Sequence, residues 1–421
     1  MSERVPEGWC IAVLRDLALV KGGKRLPKGE TFALLKTKFP YIRVSDFKDG
    51  TVDTSNLKFV SEEIRDQIKR YVISSNDLYI SIAGTLGLVG EIPKELDGAL
   101  LTENAAKIVF NSTKVCDKSF LKYCLSSDEA KEYFSQAKGT GGGVPKLALF
   151  RIEDVSFLFP PFQEQQKIAK ILTSVDEVIE KTQSQIDKLK DLKTGMMQEL
   201  LTTGVGVDGK PHTEFKDSPV GRIPKTWKVV SLSSVAERIG DGIHATPKYV
   251  DKSDYPFING NNLKDGKIFV GSNTRFVSLE EYEKHRTELS DSTILMSING
   301  TIGNLAYYLN EPVVLGKSAA YISLAEGVSK SFIYYVLGSD YVREFYELEL
   351  TGTTIRNLSL KAIRATPIAL PPAVEQDDIA RVLSALDENI KLLSSQLSQK
   401  MSLKKALMQD LLTGKVRVAI D

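Results

Sequence analysis

The side chains best suited to directed polar contacts are basic and amide residues gathered in Gly- and Pro-containing stretches. In the first half of the chain they are Lys24, Arg25, Arg43, Lys138 and Lys146. In the second half they are Asn259, Asn261, Asn262, Asn299, Lys317, Arg356 and Asn357. Arg and Lys can bridge O6 and N7 of guanine, and Asn can pair bidentately with adenine. Taken singly, each is an ordinary solvated surface group. The set carries more weight than its members, because it recurs at corresponding places in two segments that otherwise diverge.

Motifs for covalent chemistry fail on inspection. Phe159-Pro160-Pro161-Phe162 lies near the [Asn/Asp]-Pro-Pro-[Tyr/Phe] site of amino-methyltransferases but lacks the amide or acid that would take the amine proton. It reads better as a strand-to-helix corner with proline in the first helical turn. Gly316-Lys317-Ser318 has the end of a phosphate loop, but Glu311 stands where the opening glycine belongs. Gly139–Gly143 fits neither the phosphate-loop nor the dinucleotide pattern. Cys10, Cys116 and Cys124 form no CxxC pair, so reduced structural thiols in a cytoplasmic protein are expected. His212, His244 and His285 have no thiol or carboxylate at a ligand spacing, so no metal site is expected. No catalytic residue is assigned.

The elements that must position the polar set come in two copies. The 421-residue chain is long enough for two or three domains, and its 42% hydrophobic content supplies their cores. A net charge of +1 means that any contact with nucleic acid must come from local patches or with another subunit's help. Neither a secretion signal nor a membrane span is visible. Trp9 and Trp227 open the two copies. Tyr41–Gly50 matches Phe257–Gly266, each ending in an Asp-Gly turn. Leu78–Gly87 matches Ile294–Gly303, a strand running into a glycine turn. Phe120–Leu125 matches Phe332–Leu337 as a short helix.

Each copy then enters a long helix through a double proline. An offset of 211 carries Pro160 to Pro371, Gln165 to Gln376 and Leu200 to Leu411. In a heptad frame, position a holds Ile168, Val175, Leu189 and then Ile379, Leu386, Leu393. Position e holds Leu172, Ile179, Ile186 and then Leu383, Ile390, Leu397; position d adds Ile171, Val178 and Leu192. Such stripes demand a partner surface, and Gln185, Asn389, Gln396 and Lys400 would help to fix register. Two homologous helices related by a pseudo-two-fold axis across them pack antiparallel. A helix of about 38 residues extends about 57 Å. The boundaries are a globular segment 1–159, helix 160–203, linker 204–223, a second globular segment 224–370, and helix with tail 371–421.

At this point the chain resembles the specificity subunits of type I restriction-modification systems. The carriers are Phe215–Trp227, the PPxxEQ-type helix starts at Pro160–Gln165 and Pro371–Gln376, and the helix ends at Met197–Gly204 and Met408–Gly414. The Gly-Thr phrases at Gly139 and Gly352 also fit, although the first continues as a glycine run. The resemblance covers essentially the whole chain. It implies an α+β protein with two pseudo-symmetric target recognition domains, separated by long helices that form an antiparallel coiled coil. It further implies a split double-stranded DNA target, two docked methyltransferase subunits and additional restriction subunits. S-adenosylmethionine, ATP and Mg then belong to those partners, and this chain binds no cofactor. The rivals are a standalone methyltransferase or nuclease, and a coiled-coil scaffold that never touches DNA.

Overall fold

The computed structural model describes residues 5–136, 145–206, 210–351 and 356–420. The chain divides into two compact units, Met1–Gln183 with Gln396–Asp421, and Ser184–Ser395. Each unit thus takes one globular domain and half of each long helix. The cut falls within the helices, because each half-helix buries its apolar side against the nearer domain.

The first domain is built on a four-stranded antiparallel sheet of β1 (Ala18–Gly22), β2 (Leu78–Ser81), β3 (Val89–Glu91) and β4 (Ala105–Phe110), ordered β1-β4-β2-β3. The second domain repeats it as β5 (Ala236–Asp241), β6 (Thr293–Ser297), β7 (Leu305–Tyr307) and β8 (Ala319–Leu324), ordered β5-β8-β6-β7. A smaller mixed sheet stands beside each, with one parallel pairing, Tyr41 to Leu100 in the first and Phe257 to Val314 in the second. β2 and β6 are buried along their whole length, which suits their β-branched, aromatic and aliphatic residues.

The Ser-Ile-x-Gly-Thr-x-Gly phrase that follows each central strand has a local cause. Ser81 Oγ donates to the Thr85 carbonyl and accepts from Leu88 N at 2.8 Å. Ser297 Oγ does the same with the Thr301 carbonyl at 2.6 Å and Asn304 N at 2.8 Å. Gly84 and Gly300 take φ of 79° and 74°, which side chains resist, so the turn selects glycine.

A helix follows the sheet in each domain, α1 (Lys118–Ser126) and α3 (Lys330–Leu337). The long helices are α2 (Phe162–Thr203) and α4 (Ala373–Leu412), of 42 and 40 residues. The PPxxEQ start has a structural purpose in both copies. Gln165 closes on Asp117 N at 2.9 Å and the Pro160 carbonyl at 3.0 Å; Gln376 closes on Ser329 N at 3.0 Å and the Pro371 carbonyl at 2.9 Å. Buried Glu164 accepts from Trp9 Nε1 and buried Glu375 from Trp227 Nε1, each at 2.9 Å. The tryptophan that opens a domain is thereby tied to the helix that closes it.

Within each unit the half-helices run antiparallel. In the first unit, Asp176 of α2 pairs with Lys404 of α4 at 2.6 Å, and Thr182 accepts from Lys400 at 2.8 Å. In the second, Lys193 pairs with Asp387 at 2.6 Å. The 211-residue offset carries Asp176 to Asp387 and Lys193 to Lys404, so one ion pair is made twice with its donors exchanged. Each aspartate also accepts from a domain tyrosine at 2.8 Å, Tyr123 in the first unit and Tyr335 in the second.

The seam runs through positions a and e. Ile168, Leu172, Ile186, Ile379 and Leu383 are buried. Val175, Ile179, Leu189, Leu386, Ile390, Leu393 and Leu397 are half-buried, as expected where only two helices cover one another. Position d departs from the expected stripe: Val178 and Leu192 are exposed at 48% and 49%. Alternating steps of four and three through a and e already make a complete heptad seam, so d turns outward at these two positions, whereas Ile171 at d is half-buried against the core around Trp9 and Phe120.

One difference between the domains bears on acid stability. In the first, Glu91 lies 2.9 Å from Lys122 and 3.1 Å from Lys118. The corresponding place in the second holds Tyr307 stacked on Tyr334 at 4.3 Å. Burial pushes the Glu91 carboxyl up, but the two ammonium groups overcome it and hold it below its ordinary value. A carboxyl depressed in this way contributes stability above its unfolded value of about 4.3, and that contribution is lost as pH falls through the folded value. Lys122→Met raises the folded value. The first unit should then unfold at a higher pH in an acid titration followed by Trp9 fluorescence; an unmoved acid midpoint would contradict this coupling.

Candidate nucleic-acid interface

Part of the polar set singled out from sequence collects at one corner of each main sheet, where β1 or β5 leaves it: Lys24, Arg25 and Lys146 in the first domain, Asn299, Lys317 and Asn357 in the second. After β1, Gly23 N donates to the Ala105 carbonyl at 2.9 Å and Lys24 N to the Leu101 carbonyl at 2.8 Å. After β5, Gly242 N donates to the Ala319 carbonyl at 3.1 Å and Ile243 N to the Leu315 carbonyl at 2.8 Å. A Cβ on Gly23 would run into the Thr102 carbonyl, and one on Gly242 into the Leu315 carbonyl. Only glycine permits this approach, and it sets the next residues in one frame. Arg25 and His244 occupy the same place in that frame.

In the first domain Arg25 is exposed, and its Nε donates to Glu103 Oε1 at 2.7 Å. Thr102 Oγ1 donates to the other carboxylate oxygen at 3.0 Å. Burial pushes the Glu103 carboxyl up, yet the Arg25 bond keeps it below its ordinary value. A guanidinium held by Nε still offers its outer edge, one N–H from each terminal amino group, the fork that suits guanine. Lys146 is exposed and makes a bridge with Ala83 beside the glycine turn. Lys24 is exposed, with its ammonium 5.7 Å from the Tyr71 ring.

In the second domain Asn299 bridges Asn357 just as Ala83 bridges Lys146. The Asn299 amide lies 3.4 Å from the Lys317 carbonyl. Asp241, His244, Asn299, Lys317 and Asn357 line one open cavity of about 320 Å³. His244 Nε2 meets Asp241 Oδ2 at 2.8 Å. Lys317 stands where the first domain has Glu103, so the corner keeps its frame and reverses a charge. Arg356 is exposed beside this cavity and pairs with Glu347 at 2.9 Å.

The remaining sequence candidates are placed differently. The Arg43 guanidinium grips buried Asp46 through Nε at 3.1 Å and Nη2 at 2.6 Å, closing the local turn. Asn259 Oδ1 accepts from Ser318 Oγ at 2.9 Å, supporting the residue next to Lys317. Buried Asn262 bonds the Phe269 carbonyl and Thr274 at 3.0 Å, again a turn closure. Asn261 is exposed. Lys138 and the Gly139–Gly143 run lie outside the described residues, as do Gly352–Ile355. Sequence reasoning missed Glu103, Asp241 and His244. Aligning Gly23-x-Arg25 with Gly242-x-His244 would have found the last; the histidines were weighed only as metal ligands. Among the described residues no cluster of His, Cys, Asp and Glu suits a metal ion. No helix there is long and apolar enough to cross a membrane.

The sequence profile of the type I restriction modification DNA specificity domain matches residues 6–191 and 224–402. The chain belongs to that family. It is a specificity subunit with two copies of the DNA specificity domain, one in each unit. It is 28% identical over 423 residues to the type I restriction enzyme MjaVIII specificity subunit of Methanocaldococcus jannaschii, covering 99% of this chain and 94% of that protein. Against the EcoKI specificity subunit of Escherichia coli the identity is 20%, with 98% and 89% covered. The S subunit of a type I restriction-modification system from M. genitalium has the same fold, with a TM-score of 0.59 at 16% identity over 97% of this chain and 98% of that one. The specificity-domain assignment places the α+β units and the antiparallel helix pair in one architecture. It also fits a corner whose backbone is constant and whose side chains change.

Proposed function

We propose that this specificity subunit reads a split double-stranded DNA target, one half-site per domain, through the two glycine-framed corners. Side chains there make hydrogen bonds with base edges in the major groove, while the helices set the separation of half-sites. Two methyltransferase subunits dock on the helices and domains and bring S-adenosylmethionine. Restriction subunits, where they join, bring ATP and Mg. This chain contributes no cofactor and no catalytic group, and it works in the cytoplasm.

The observation that carries this reading is the repeated corner: one backbone frame, with Arg25 and Glu103 in one copy and His244 and Lys317 in the other. A scaffold that ignored DNA would have no use for a repeated frame with exchanged polar groups. Repetition also supports two copies of one partner. Met408, Leu412 and Thr413 line a cavity of about 340 Å³ in the first unit, and Met197, Leu201 and Thr202 line one of about 370 Å³ in the second. These positions are related by the 211-residue offset. With a net charge of +1, much of the phosphate neutralisation falls to those partners, so the chain alone binds DNA weakly.

The test is exchange of Gly23–Lys146 for the matching segment of a relative with another target, followed by mapping of methylated adenines in cells carrying the complete system. One half-site should change to that of the donor while the other persists. Retention of both half-sites would remove the recognition role of the first domain.

A further inference from the structure

We infer that His244 is a specificity-determining residue of the second domain, held by Asp241 so that its free ring nitrogen accepts a hydrogen bond from an exocyclic base amino group. This rests on the DNA-reading function proposed above. A carboxylate oxygen can only accept, so the 2.8 Å contact between His244 Nε2 and Asp241 Oδ2 places the ring proton on Nε2. In the neutral ring, Nδ1 is then a bare acceptor. The ring is 73% exposed, whereas its anchor is only 23% exposed. Asp241 is itself held at the end of β5, paired with Ala320 of β8. The reader is therefore fixed at its base and open at its tip.

The first domain gives this arrangement its meaning. Arg25 occupies the same place in the frame and is likewise held by a carboxylate, Glu103, which lies 23% exposed. An anchored cation presents donors, and an anchored neutral imidazole presents an acceptor. In the major groove the donors are N6 of adenine and N4 of cytosine, while guanine offers acceptors. The two corners thus read opposite hydrogen-bond polarity from one backbone design. Asn299, Asn357 and Lys317 around the same cavity supply the flanking contacts.

The experiment uses the full-length chain assembled with its methyltransferase subunits, and DNA binding measured by fluorescence anisotropy. Wild type, His244→Phe and Asp241→Ala are compared on the mapped target. They are also compared on targets in which one adenine is replaced by purine, or one cytosine by 2-pyrimidinone, so that only the amino group is lost. One such replacement in the second half-site should weaken wild-type binding about tenfold. The same replacement should leave His244→Phe unaffected, and Asp241→Ala should show a smaller loss at that position. Whichever analogue couples names the base. If no amino deletion couples to His244, or if the coupled position answers instead to loss of guanine N7, the assignment is overturned. A wild-type complex with no defined target overturns the parent reading as well, whereas a defined target with uncoupled variants overturns only the role of His244.

Discussion

Glu375→Ala destabilises the Ser184–Ser395 unit by about 3–5 kcal/mol, the cost of removing one partner from a buried charged network. Four donors converge on this carboxylate: Val205 N at 3.1 Å, Gly206 N at 3.0 Å, His212 Nε2 at 2.8 Å and Trp227 Nε1 at 2.9 Å. Two of them are backbone N–H groups just after α2, where Gly204 turns the chain at φ 72°. They cannot move to water without unwinding that turn. Glu164→Ala in the first unit costs less, about 2 kcal/mol. Its partners are Trp9 and Arg417, and Arg417 is a flexible side chain, 43% exposed, that can swing into solvent. The chain has two tryptophans, one beside each carboxylate, so Trp9→Phe and Trp227→Phe backgrounds let fluorescence follow each unit alone in a urea titration. An effect of Glu164→Ala equal to or larger than that of Glu375→Ala would contradict the assigned role of the backbone donors.

Removing one heptad from each helix, Lys181–Asp187 and Leu392–Ser398, shifts the preferred half-site spacing by about three base pairs. Seven residues amount to about 10 Å of helix at 1.5 Å each, and stacked base pairs are about 3.4 Å apart. Both deletions lie between the Asp176–Lys404 and Lys193–Asp387 pairs, so those contacts survive. The a/e phase of each helix is also kept. Deletion from one helix alone sets the seam against a partner two turns out of register, and the assembled complex should not be recovered. Methylated-site mapping reads both outcomes. Half-sites with unchanged spacing in the matched deletion would refute the role of the helices in setting distance.

These tests divide along the line between local and long-range information. The helices, their seam and their pairing were legible because heptad spacing is a local property of the chain. The 211-residue offset even contains the doubled Asp–Lys pair. One feature of the stripe was misread: Val178 and Leu192 have the right composition for a seam but turn outward, because a two-helix pair covers only a narrow strip. At the corners, composition was a poorer guide. Arg25 and Arg43 look equivalent in sequence, yet one is an exposed fork and the other closes a turn on Asp46. The difference lies in which carboxylate the fold brings to each. Glu103 reaches Arg25 from 78 residues away, whereas Asp46 lies three residues from Arg43.

From its sequence alone this protein declared a duplicated plan: two mixed domains, two long antiparallel helices, and polar loops at matching places. Those conclusions rest on periodicity, repetition and motif spacing, which act between near neighbours in the chain. Only the tertiary structure decided which polar residues share a corner and which are held in place. That depends on backbone turns where a glycine lets two distant strands approach within hydrogen-bond range, and on the buried carboxylates at Glu164 and Glu375 that tie each domain to its helix. In the sequence His244 is a lone histidine; Gly242 and the Asp241 carboxylate place it in one cavity with Lys317 and Asn357.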